Sequence, residues 1–251
     1  MPLRRRIIPC LDVRGGRLVK GINFESLRDC GDPVDAARRY AEQGADEIVW
    51  LNITAGDEEW TELLEAVERA AEEVDVPLCV GGGVGTVGDA RDLLLAGADK
   101  VSTNTAPLDR PQLVRELADQ FGSQCVVVAI DAARNGEGWQ AFASAGNRPT
   151  GRSAIEWAAE AAALGAGELL VTSIDADGTG GGYDLELLRT ICDAVTVPVI
   201  ASGGAGDATD MAAALTTGAE AALAATIFHD GRRTIAEVKR EVAECGLPVR
   251  T

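Results

Sequence analysis

Residues Ala201–Thr226 read ASGGAGDATDMAAALTTGAEAALAAT, and residues Val80–Thr105 read VGGGVGTVGDARDLLLAGADKVSTNT. A shift of 121 positions aligns the two without a gap. Gly203, Gly204, Gly206, Asp210, Leu215, Gly218, Ala219 and Thr226 then fall on Gly82, Gly83, Gly85, Asp89, Leu94, Gly97, Ala98 and Thr105. The same offset joins Gly44, Ala45 and Glu47 to Gly165, Ala166 and Glu168, and Val76 and Pro77 to Val197 and Pro198. Each copy is about half of the 251 residues, longer than a solenoid repeat and shorter than an independent enzyme domain of this kind. The repeat predicts two half-units, approximately 1–122 and 123–251, closing into a single domain.

Around the repeat, short apolar runs alternate with helical patterns. Strands are expected at Arg6–Asp12, Asp46–Asn52, Val76–Gly81, Lys100–Thr103, Cys125–Asp131, Glu168–Ile174, Val197–Ala201 and Ala221–Ala225. Helices are expected at Pro33–Gln43, Glu58–Val74, Val87–Ala96, Arg110–Gln120, Ser153–Leu164, Leu185–Val195, Thr209–Thr216 and Ile235–Glu244. Pro111 suits a first helical turn, and Gly44, Gly97, Gly165 and Gly218 stand where helices end. Eight βα units in this length are those of a (β/α)8 TIM barrel, here built from two repeated half-barrels. Arg14–Gly31, with Lys20, and Arg134–Gly151 exceed what a turn needs. They read as long loops at the strands' C-terminal ends, where barrels keep their chemistry.

Composition narrows the partners. A net charge of −17 and a pI near 4.4 argue against nucleic acid, whose phosphates attract basic surfaces. Of 23 basic residues only Lys20, Lys100 and Lys239 are lysines. That bias, with the acidic balance, predicts a halophile's cytoplasmic protein, of archaeal source, whose self-repulsion concentrated salt screens; an ordinary acidic protein is the competing reading. Cysteines 10, 30, 79, 125, 192 and 245 form no CxxC pair and read as reduced cytosolic thiols. No window reaches the ~20 apolar residues of a membrane span, and the N-terminus lacks the apolar stretch of an export signal, so a soluble cytoplasmic protein with no membrane partner is expected.

The repeated glycines carry the first chemistry. In each copy one strand ends in Gly-Gly and the next in a threonine, Thr105 preceded by Asn104, or Thr226. Amides unobstructed by a Cβ, beside a hydroxyl, make an anion cradle. Two cradles facing each other across a barrel mouth suit a ligand with a phosphate at each end. Between them, Asp12 and Asp131 end the first and fifth strands, one carboxylate per half. Paired carboxylates divide acid and base roles when their surroundings separate their pKa values; capping of the next loop is the competing reading. Asp175 and Asp177, in SIDADGT, are placed second, as substrate contacts or turn residues. His229 is the single histidine, so no second imidazole exists for a His-rich metal site, and its place beyond the final strand argues against a Ser-His-Asp triad. No metal and no cofactor is expected.

The stretches IIPCLDVRGGRLVKGINFESLRDCGDPV, VGGGV, VSTNTA, FGSQCVVVAIDA, LLVTSIDADGTGGGYD and IASGGAG together resemble the cyclase subunits of imidazole glycerol phosphate synthase, from histidine biosynthesis. The likeness spans essentially the whole chain. It implies a lyase that takes the bisphosphate PRFAR and ammonia to imidazole glycerol phosphate and AICAR. It also implies a separate glutaminase subunit, docked on the barrel's N-terminal face as a heterodimer, that supplies the ammonia.

By position, the resemblance gives Asp12 and Asp131 the acid/base roles. It gives Lys20, Gly82, Asn104 and Thr105 one phosphate, and Asp177, Gly178, Gly203, Gly204, Ala225 and Thr226 the other. It makes Arg6, Glu47, Lys100 and Glu168 an ammonia gate, where another barrel would have solvated strand ends. Two residues depart from the family pattern: Asn52 replaces an aspartate and Ala176 an arginine. The sister isomerase of the same pathway, ProFAR isomerase, would use the same cradles and Asp pair, and a noncatalytic phosphate-binding scaffold is the rival of a different class. The Lys20 loop favours the cyclase over the first, and the retained Asp pair weighs against the second.

Overall fold

The computed structural model of the chain describes residues 4–22, 25–53 and 58–250, with the side chains of 20–22, 25–28 and 58–59 outside that description. Among the described residues twelve strands follow in chain order: β1 Arg6–Arg14, β2 Arg17–Ile22, β3 Glu25–Gly31, β4 Ile48–Asn52, β5 Leu78–Gly81, β6 Lys100–Thr103, β7 Val126–Asn135, β8 Gly138–Ala143, β9 Arg148–Ser153, β10 Glu168–Ser173, β11 Val199–Ser202 and β12 Ala221–Ala224. Eight of them, β1, β4, β5, β6, β7, β10, β11 and β12, pair in parallel in that order. β12 returns to β1 through Arg6↔Ala221 and Pro9↔Ala224, which closes a (β/α)8 TIM barrel.

Strand periodicity sorts the core into two layers. Along β1, Ile8 and Cys10 point into the barrel with Val49, Cys79, Val127, Leu170, Ile200 and Leu223. Ile7 and Leu11 point out, beneath helices that contribute Tyr40, Trp157, Leu93 and Leu117. The eight expected helices all form, within two residues of their predicted bounds. Their starts have local causes. Asp32 accepts from the Val34 amide ahead of Pro33–Glu42, while Thr86 with Asp89, Asp207 with Asp210 and Thr234 with Glu237 form reciprocal capping boxes. No helix among the described residues is long and apolar enough to cross a membrane.

The two long segments are not loops. Arg14–Gly31 contains β2 and β3, and Arg134–Gly151 runs through β8 into β9, so each half carries an antiparallel extension after its first barrel strand. Lys20 therefore lies on a strand, paired with Arg28, rather than on a loop; its side chain falls outside the described residues. β1 and β7 accordingly run past Asp12 and Asp131, to Arg14 and Asn135. The apolar/polar pattern of RLVKGI and GWQAFA is too short to separate a strand from a functional loop without its partner. Two further short helices, Thr105–Asp109 and Thr226–His229, open at the two repeated threonines.

Candidate active site

Asp12 and Asp131 occupy the same place in the two halves, although they are not matched by the 121-residue offset. β1 pairs with β12 through Pro9, and then with the extension strand β2 from Asp12 onward. β7 pairs with β6 through Val128, and then with β8 from Asp131 onward. Each aspartate is thus the first residue at which its strand leaves a barrel neighbour for a hairpin neighbour. Both share the inward face with the apolar plug below, since Ile8, Cys10 and Asp12 alternate along β1, and Val127, Ala129 and Asp131 along β7. The Cys10 thiol lies 3.7 Å from Asp12 Oδ1, a weak donor to the carboxylate.

Asp131 is perturbed. Burial pushes its carboxyl up to about 7, the Asp177 carboxylate adds to the rise, and the bond from Asn104 opposes it. Asn104 Nδ2 donates to Asp131 Oδ2 at 2.9 Å, while Asn104 Oδ1 is buried without a hydrogen-bond partner among the described residues. Asp131 also sits across from Thr172 on β10, which is across from Ser202 on β11, so a polar row crosses three strands above the plug. Thr172 and Ser202 escaped the sequence reading. The inward alternation Glu168, Leu170, Thr172 was the available signal.

The glycine pairs are required by close approach. Gly82 has φ +91, and a Cβ there would lie 1.9 Å from the Asn52 carbonyl oxygen. Gly203, at φ +85, would place its Cβ 2.6 Å from the Ser173 carbonyl oxygen. Gly204 runs against the 176–182 segment, accepting from the Gly182 amide at 2.8 Å. The repeated aspartates hold these loops: Asp89 Oδ2 accepts from the Gly85 amide and Asp210 Oδ2 from the Gly206 amide, both at 2.9 Å. Thr105 and Thr226 stand at matched positions beside them, with Ala225 just ahead of Thr226.

The SIDADGT segment is a turn, in which Asp177 donates its amide to the Ser173 carbonyl at 3.0 Å and Gly178 adopts φ +74. Asp175 is held by the Arg134 amide at 2.7 Å and serves that junction. Ala176 packs against Gly204, and Asn52 closes β4 beside Gly82. His229 Nδ1 meets the Tyr40 hydroxyl at 2.6 Å.

At the opposite end of the barrel, four residues from distant parts of the chain close a ring. Arg6 pairs with Glu47 at 2.7 Å and with Glu168, while Lys100 reaches Glu47 at 2.8 Å and Glu168 at 2.9 Å. Burial pulls the pKa of Arg6 and of Lys100 down, but the two carboxylates outweigh it, so both stay firmly cationic. Glu47 and Glu168 are 1% and 5% exposed, which makes the ring a floor to the barrel rather than solvated strand ends.

Residues 6–234 match the family described as "Histidine biosynthesis protein". Three relatives from strains of Dehalococcoides mccartyi, each named "Imidazole glycerol phosphate synthase subunit HisF", are 55% identical over 249 residues, covering 99% of this chain and 98% of each relative. The chain belongs to that family. Whole-length kinship with HisF gives it the cyclase function in histidine biosynthesis, and makes it an enzyme of the lyase type. Those HisF relatives are bacterial and lend no support to a halophilic archaeal source.

Proposed function

We propose that the chain binds PRFAR across the barrel mouth and, with ammonia, converts it to imidazole glycerol phosphate and AICAR. Asp12 and Asp131 form the acid/base pair. Lys20, Gly82, Asn104 and Thr105 take one phosphate, and Asp177, Gly178, Gly203, Gly204, Ala225 and Thr226 the other. The observation that carries this reading is Asp131, pushed up to about 7 between two matching glycine loops, where it can both give and take a proton near neutrality. No cofactor is required, because proton transfer and attack by ammonia suffice for a lyase cyclisation.

The ammonia comes from a glutaminase subunit, and the ring of Arg6, Glu47, Lys100 and Glu168 is the gate through which it enters the apolar barrel interior. The relatives' name, which makes each a subunit of a synthase, supports such a partner. The working compartment is the cytoplasm. The acidic, lysine-poor composition supports adaptation to concentrated salt, in which case the unfolding temperature rises steeply with added KCl; a flat response removes that part of the reading.

The test is turnover of PRFAR with ammonium at mildly alkaline pH by the parent chain and by Asp131→Asn. Turnover by the parent and its collapse in the variant support the cyclase with Asp131 in the chemistry. A folded, phosphate-binding parent that leaves PRFAR intact but isomerises the preceding intermediate moves the assignment to the isomerase. Inactivity toward both leaves the scaffold.

A further inference from the structure

The hairpin formed by β8 and β9 ends in a turn with three successive left-handed residues, Ser144 at φ +54, Ala145 at +52 and Gly146 at +82. Only the glycine takes that conformation freely, so something must hold the other two. Asn147 Nδ2 donates to the Ser144 carbonyl at 2.8 Å, and Ile174 packs under Gly146. The turn then makes two contacts with one short helix elsewhere in the chain. The Ser144 amide donates to Thr105 Oγ1 at 2.8 Å, and Arg148 Nη2 donates to both carboxylate oxygens of Asp109 at 2.8 Å. Thr105 and Asp109 are the first and last residues of that helix, Thr105–Asp109.

A threonine hydroxyl has one proton to give. With its oxygen already accepting from the Ser144 amide, the Thr105 hydroxyl keeps that proton for another acceptor. On the reading that Thr105 binds a phosphate, this is the orientation the phosphate needs, because an anion takes donors and repels acceptors. We propose that Ser144 and Arg148 are positioning residues of the first phosphate site. The hairpin of the second half straps down the cradle of the first half: Arg148 anchors the strap at Asp109, and the Ser144 amide sets the Thr105 hydroxyl as a donor. The inference rests on the bisphosphate reading above and adds two residues to those named for the first phosphate.

Arg148 is exposed and its pair with Asp109 lies on the surface, so Arg148→Ala removes the anchor without opening the core. The experiment uses the whole chain with PRFAR and ammonium, and adds inhibition by each of the two monophosphate products, which occupy one cradle each. With Arg148→Ala, KM for PRFAR rises by roughly 5- to 10-fold with kcat within about twofold, as expected for lost ground-state binding. Inhibition by one product weakens by a similar factor while the other is unchanged, and Arg148→Lys recovers part of the loss. An unchanged KM overturns the strap, and so does equal weakening of both products, which signals general loosening. If neither product inhibits the parent, the two-cradle reading fails and the strap falls with it.

Discussion

Asn104 Nδ2 lies 2.9 Å from Asp131 Oδ2 and donates to a carboxyl that burial and Asp177 both push toward neutrality. The amide favours the charged form and its neighbours oppose it, so the two residues set the carboxyl's working point between them. Asn104→Ala removes the donor and moves the ionisation of Asp131 above about 7. Asp177→Asn moves it down. The pH dependence of kcat/KM with ammonium as nitrogen donor reads both shifts, and opposite displacement in the two variants is the expected outcome.

Asp131→Asn lowers turnover by on the order of 10²- to 10⁴-fold, the scale of a lost general acid or base. Its effect on stability depends on pH. The folded-state pKa of Asp131 is raised from 3.8 to about 7, so ionisation costs the fold stability progressively as pH rises through that window. Asparagine carries no such cost. The variant's melting temperature relative to the parent therefore climbs from about pH 4 to about pH 8, and a difference that stays flat across the series would show Asp131 to be unperturbed.

The charge floor predicts a split between nitrogen sources. Removing one member of a buried network strands the others, at a cost of about 3–5 kcal/mol for a fully buried pair and less here, where Lys100 is partly exposed. Lys100→Met leaves Glu47 and Glu168 with Arg6 as their one ion-pair partner among the described residues. Expected are a lower melting temperature, little change in turnover with free ammonium, and a changed rate when glutamine is supplied with the glutaminase. Equal losses with both nitrogen sources argue against a gate.

Gly82→Ala tests the first cradle. Its Cβ would fall 1.9 Å from the Asn52 carbonyl oxygen, and the backbone there has φ +91, so the loop must move. We expect a several-fold or larger rise in KM for PRFAR together with a lower unfolding midpoint. Gly44→Ala also meets positive φ but finds no atom within 4 Å, which makes it the control that carries strain without disturbing the cradle.

Lys239 reaches Asp46 Oδ1 at 2.8 Å, while Asp46 Oδ2 accepts from the Ile7 amide at 2.8 Å, so the last helix is pinned to β1 through one buried carboxylate. Lys239→Met strands that charge. A loss of about 3–5 kcal/mol in denaturant unfolding is expected, partly recovered by Asp46→Asn in the same chain, which keeps an acceptor for Ile7 without the charge.

Much of this was legible in the chain itself. The 121-residue repeat marked both glycine pairs, and the ends of the apolar runs IIPCLD and VVVAID marked the two aspartates. Helix bounds were local matters of capping residues and glycine stops. These features depend on residues a few positions apart, and a sequence displays such neighbours directly.

Tertiary structure decided the rest. The long segments after β1 and β7 became hairpins because their partners were each other, and Lys20 moved from a loop to a strand. The contacts of Asn104 with Asp131, of Arg6 with Glu168 and of Ser144 with Thr105 join residues that only barrel closure brings together. The rise of Asp131 to about 7 comes from burial, a property of everything packed around a group rather than of its neighbours in sequence.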